Sequence, residues 1–98
     1  MGIDHSVTIL FVDDDQTMLA LYRMLFRGEY HLLCVRNARE ALMFLNNTIS
    51  LVVTDDEMAG VSGRELIAAI HGTYPLMPTL LVSGKEQPPD YTGAFIRK

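Results

Sequence analysis

Tryptophan is absent from the 98-residue chain, and cysteine occurs once. A single thiol excludes a disulfide framework and a cysteine zinc site. Cys34 sits in the apolar run Leu32-Leu33-Cys34-Val35, where a small buried thiol is expected. Basic residues are scarce: eight Lys and Arg stand against twelve Asp and Glu, for a net charge of −4. That balance argues against a nucleic-acid or anionic-membrane surface. No apolar run is long enough to span a bilayer, and the opening MGIDHSVTI has an acid but no basic segment, so it does not read as a signal peptide. Met1-Gly2 with Ser6 is a fragment of an acylation signal without its basic flank. His5, His31 and His71 are scattered, with no ligand spacing. Repeats and low-complexity tracts are lacking. One domain over residues 1–98, soluble and in a reducing cytoplasmic setting, is the expectation.

What is present is an alternation. With 49% hydrophobic and 20% charged residues the chain reads as globular. Thr8–Val12 is a continuous β-type run, as in a strand buried on both faces. Residues 16–27 carry Met18, Leu19, Tyr22, Leu25 and Phe26 at helical spacing, and Gly28 stops them. Residues 30–35 read as a second strand. Asn37 with Glu40 three residues on opens a helix with Ala41, Leu42 and Leu45 inward. Residues 51–54 form a third strand, and Ser62 with Glu65 is a capping box ahead of Leu66, Ile67 and Ile70. Residues 79–82 and 94–96 complete five strands. Strands alternating with helices predict an α/β domain, a parallel five-stranded sheet with helices on both faces. Ligands bind such sheets beyond the carboxyl ends of the strands.

Acids gather there. ILFVDDD ends the first strand in Asp13, Asp14 and Asp15, and LVVTDDE ends the third in Asp55, Asp56 and Glu57. Carboxylates that converge repel one another, but they suit a hard divalent cation. Mg²⁺ takes oxygen ligands and is usually held by one or two carboxylates plus phosphate oxygens. Ser83, ending the fourth strand, could hydrogen-bond a phosphoryl oxygen, and Lys98, ending the fifth, could neutralise one. Together these groups describe a phosphoryl-transfer site, with Asp55 a possible nucleophile.

ILFVDDD, LVVTDDEMAGVSGREL, TLLVSG and GAFIRK, in that order, resemble a response-regulator receiver domain of two-component signalling. The resemblance runs from Thr8 to Lys98 and implies a flavodoxin-like (CheY-like) fold. It makes Asp55 the phosphoacceptor, fed by a histidine kinase or a phosphotransfer protein. It implies a Mg²⁺ site of Asp13, Asp14, Asp55 and the backbone carbonyl of Glu57, with Asp14 touching the ion directly and Asp13 mainly through water. Ser83 matches the switch hydroxyl, Phe95 the aromatic that moves with it, and Lys98 the phosphoryl-binding lysine. Glu57 and Lys85 are expected to be exposed, where their counterparts tune the lifetime of the phosphoryl group. Such a domain is a signalling device that phosphorylates and dephosphorylates itself, not a turnover enzyme.

The chain also departs from the family. Ala59 replaces a usual proline, and Ser62 a usual acid. Only fourteen residues separate Ser83 from Lys98, and Pro88-Pro89 falls in their middle, so the fourth helix is expected to be missing. The family's fifth helix is expected to be missing as well. A bare strip of apolar sheet on each face is then expected, with a homodimer or a missing downstream domain to cover it. Two rivals remain. FVDDDQT contains D-x-D-x-T, which resembles the first motif of haloacid-dehalogenase-like phosphatases and would make Asp13 and Asp15 catalytic. The order of the acids and the length of the chain disfavour that reading. The other rival is a degenerate receiver that acts only as an interaction module.

Overall fold

The structure, a computed structural model, describes residues 4–98, with side chains from Val7 onward. The Met1-Gly2 pair and the side chain of His5 lie outside the described residues. Along the chain run β1 (Asp4–Val12), α1 (Gln16–Phe26), β2 (Tyr30–Val35), α2 (Ala38–Phe44), β3 (Leu51–Asp55), α3 (Gly63–Thr73), β4 (Thr79–Ser83) and β5 (Ala94–Arg97). The strands pair in parallel in the order β2-β1-β3-β4-β5. The expected five-stranded α/β sheet is therefore present, and β1 and β3 are neighbours.

Strand alternation sorts the core into two layers. Leu10 and Val12 of β1, with Val52 of β3, pack against Ala38 and Ala41 of α2 and Leu66 and Ile70 of α3. Ile9, Phe11 and Val53 face the other way, onto Leu19, Tyr22 and Phe26 of α1. Phe11 stacks on Tyr22 with ring centroids 4.3 Å apart. Burying one such side chain contributes about 1.5–3 kcal/mol. Helix starts follow from short polar caps. The Asp15 carboxylate accepts from Thr17 N at 2.9 Å, and Asn37 Oδ1 accepts from Glu40 N at 2.8 Å. Ser62 and Glu65 form the reciprocal box.

Three sequence expectations are corrected. Leu42 does not turn inward: it is 46% exposed, on the outer side of α2 beside Met43 and Val61. Among the described residues α1 is the one helix on the other face, and its Leu25 is 55% exposed because that ridge has no neighbour to meet. Cys34 is half-buried, because β2 is an edge strand with a partner on one side only. Burial still pushes its thiol above the usual value, against the pull of Arg23. β1 begins at Asp4, with an irregular register between Asp4 and Thr8.

Residues 84–93 form no helix. The loop is held by Tyr91 N donating to Pro88 O at 3.1 Å and Tyr91 OH donating to Ala94 O at 2.9 Å. On the α1 face the expected bare strip is present. It is a groove of about 820 Å³ whose floor and walls include Phe11, Tyr22, Phe26, Val53, Val82 and Ile96. Among the described residues, no helix is long and apolar enough to cross a membrane.

Candidate functional site

Parallel pairing of β1 with β3 sets Val12 opposite Thr54, so both strands deliver an acid to the same edge on their next step. Asp13, Asp14 and Asp55 each present a carboxylate oxygen there, all within 4.8 Å of one another. Asp13 and Asp55 are buried, with side chains 1% and 5% exposed, while Asp14 is open to solvent. One oxygen of Asp13 is occupied, accepting from Asp15 N at 2.9 Å.

β5 brings the cation. Lys98 N donates to Ser83 O at 2.6 Å, which continues the β4 pairing and aims the side chain at the acids. Its Nζ lies 3.3 Å from Asp13 Oδ2 and 3.0 Å from Asp55 Oδ1. Asp55 Oδ1 is buried, and the ammonium is the charge it faces.

Electrostatics agree with that picture. Burial pushes the Asp55 carboxyl above its ordinary value; contact with Lys98 pulls it down, and the neighbouring Asp13 pushes it up again, so the net direction is upward. For Lys98, burial alone would lower the ammonium, but the nearby Asp55 and Asp13 outweigh it and raise the value. A carboxyl raised in the folded state contributes stability at acid pH that is lost as pH rises through its folded value. Without a divalent cation, Asp55→Asn is therefore expected to melt at a higher temperature than the wild type at pH 7, with the difference vanishing toward pH 3. Differential scanning fluorimetry across that range checks it.

Ser83 is buried at the end of β4, but its hydroxyl is not turned to the acids. It lies 2.7 Å from both carboxylate oxygens of Glu57. Glu57 is exposed as expected, yet its carboxylate is engaged, which the sequence did not reveal. Lys85 is exposed, and its amide donates to Ser83 Oγ at 3.0 Å. Phe95 is half-buried on β5, paired with Leu81. It lies on the sheet face opposite Ile96. The structure thus gathers Asp13, Asp14, Asp55 and Lys98, and leaves Ser83 facing Glu57 and Phe95 apart.

Two supports were missed in the sequence. Asp56 is 7% exposed, and its Oδ1 accepts from Arg64 N at 3.2 Å and Arg64 Nε at 3.1 Å, tying the loop after β3 to the start of α3. Gly63 opens α3 against the Asp55 backbone, where an added Cβ would meet Asp55 O at 2.2 Å. A glycine directly after a capping serine was the available signal.

The family model for the response regulator receiver domain matches residues 9–97. Response regulator protein FleR of Pseudomonas aeruginosa is 35% identical over 80 residues, which is 80% of this chain and 17% of that protein. Two-component response regulator ARR12 of Arabidopsis thaliana is 32% identical over 87 residues, 85% of this chain and 14% of that protein. The chain thus spans less than a fifth of these relatives. Among solved structures, a CheY-like receiver domain protein of Methanospirillum hungatei superposes with a TM-score of 0.81 at 26% identity, covering 94% of this chain and 81% of that one. Response regulator TrrA of Thermotoga maritima, solved in complex with Mg²⁺-BeF, gives a TM-score of 0.81 at 27% identity, covering 94% and 86%. With the match running from the first core strand to the last, on a shared sheet, the chain belongs to the response regulator receiver domain family of two-component signalling.

Proposed function

We propose that Asp55 accepts a phosphoryl group from a histidine kinase or a phosphotransfer protein, in the cytoplasm. The observation that carries this reading is the buried Asp55 carboxylate, clustered with Asp13 and Asp14 and facing the Lys98 ammonium. An Asp55 oxygen attacks phosphorus and forms the O–P bond as the P–N bond to the donor imidazole breaks. The imidazole leaves with the electron pair, and the product is an acyl phosphate. The Lys98 ammonium would offset charge on the phosphoryl oxygens. Ser83 would donate to one of them, and Phe95 would shift with it, biasing a two-state surface.

The donor set fits Mg²⁺: three carboxylates within reach of one ion, two of them buried, and no sulfur or nitrogen ligand among them. Asp13, Asp14, Asp55 and the Glu57 carbonyl would hold it. When bound, Mg²⁺ supplies the positive charge that lets acids and phosphoryl oxygens share one site. The Mg²⁺-BeF complex of TrrA supports this reading by likeness. Residues 1–98 would act as one receiver unit, and a second copy or a further domain would cover the groove beside α1.

Intact-mass spectrometry after treatment with acetyl phosphate and Mg²⁺ tests the proposal. One labile phosphoryl group is expected on the wild type and none on Asp55→Asn. The phosphatase reading needs Asp15 as an acid/base, but that exposed carboxylate is taken up in capping α1. Asp15→Ala is expected to cost about 1 kcal/mol in urea denaturation, the usual loss for an N-cap, and to keep full phosphoryl uptake. Repeated turnover of para-nitrophenyl phosphate that Asp15→Ala abolishes would overturn the receiver reading in favour of the phosphatase.

A further inference from the structure

Glu57 stands on the exposed loop after β3, yet its side chain is turned back onto the end of β4. Both of its oxygens lie 2.7 Å from Ser83 Oγ, and Oε1 also accepts from Gly84 N at 3.2 Å. No ion pair to Glu57 occurs among the described residues. A carboxylate is therefore held by two neutral donors, one a buried hydroxyl and the other a backbone N–H. Such a pair is a seat for an anion. Holding an exposed, freely rotating acid in one geometry costs side-chain entropy, so the contact must offset that loss. Ser83 is 1% exposed, and its hydroxyl is already committed, accepting from Lys85 N at 3.0 Å while its one hydrogen goes to Glu57. It cannot donate to a second anion until the first leaves.

We propose that the Glu57 carboxylate is an internal competitor for the anion seat of Ser83 Oγ and Gly84 N–H, so that a phosphoryl group on Asp55 gains these donors only by displacing it. This inference rests on the phosphoacceptor role of Asp55. Glu57 then sets the threshold for the switch: it holds Ser83 in the unphosphorylated arrangement and opposes the incoming group by charge and by occupancy. Glutamine at the same position would keep the shape and the acceptor oxygen but lose the charge. Alanine would vacate the seat.

Calorimetric titration with beryllium fluoride at fixed Mg²⁺ tests this on the wild type, Glu57→Gln, Glu57→Ala and Asp55→Asn, alongside phosphoryl uptake by mass. Glu57→Ala is expected to bind the probe about tenfold more tightly than the wild type, the scale of one charge-assisted hydrogen bond no longer displaced. Glu57→Gln should fall between them. The Gly84 amide proton should move upfield in Glu57→Ala before any probe is added, as its acceptor is gone. Equal affinity within about twofold, with Asp55 still taking a phosphoryl group, overturns this inference alone. Weaker binding by Glu57→Ala also overturns it and makes Glu57 a support of the cation. Absence of both probe binding and phosphoryl uptake in the wild type and Glu57→Ala overturns the phosphoacceptor reading along with it.

Discussion

Lys98→Met lowers the stability of the cation-free protein by about 2–4 kcal/mol at neutral pH. Removing one partner of a buried ion pair typically costs about 3–5 kcal/mol, because the other charge is left without compensation. Here two carboxylates, Asp13 and Asp55, lose the same ammonium at 3.3 and 3.0 Å. The expected figure is set lower because the Lys98 side chain keeps 27% of its surface exposed, so water already screens part of the pair. Methionine retains most of the apolar stem, which separates the loss of charge from a loss of packing. The pH dependence carries the diagnosis. Asp55 is already raised with Lys98 in place, and without it the carboxyl rises further. The folded state then binds a proton that the unfolded state gives up, so the deficit of the variant shrinks as pH falls toward 4 and grows as pH rises from there. Urea midpoints at several pH values measure it. Equal deficits at pH 4 and pH 7 would refute the electrostatic account. Mg²⁺ should recover part of the loss by binding the folded state alone.

Gly63→Ala is the second large effect, and its sign is the test. In an ordinary helix, glycine to alanine gains about 0.5–1 kcal/mol. At position 63 the new Cβ would stand 2.2 Å from the backbone oxygen of Asp55, with the Asp55 carbonyl carbon and Asp56 Cα both at 2.9 Å. These are main-chain atoms of the loop that carries the acids, and they have no rotamer by which to escape. Overpacking of this kind costs about 1–3 kcal/mol and occasionally more, and a backbone clash belongs at the upper end. The change should therefore destabilise by about 3 kcal/mol. Phosphoryl uptake should fall with it, since the strain is relieved by moving Asp55 itself. Thermal melts and mass spectrometry on the same sample check both. A stabilised variant with unchanged uptake would mean that the start of α3 is free to shift away from β3.

The alternation of apolar and amphipathic segments was enough to place five strands and three helices, but not the start of β1, where polar Asp4, His5 and Ser6 hide the strand. The missing helix between β4 and β5 was equally legible, since paired prolines in so short a segment leave no turn of helix intact. Asp15 shows the limit of a motif. D-x-D-x-T suggested catalysis, and the structure gives that carboxylate a local task, capping α1 through Thr17 N. Exposure of Leu25 and Leu42 was not legible, since helical spacing says which residues share a face but not whether a neighbour lies opposite.

The sequence by itself determined the element order, the acids at two strand ends and the lysine at a third, because each of these is a local pattern of spacing and charge. Only the tertiary structure decided what meets what. It set β3 beside β1, so that Asp13, Asp14 and Asp55 share one edge. It laid Lys98 across two of them, pressed Gly63 onto the Asp55 carbonyl, and turned Glu57 back onto Ser83. These contacts join residues 8 to 85 positions apart in the chain, and no local periodicity encodes which of several acids a given donor will find. That choice is made by the register of parallel strands, which is set by which side chains must face the buried side of the sheet.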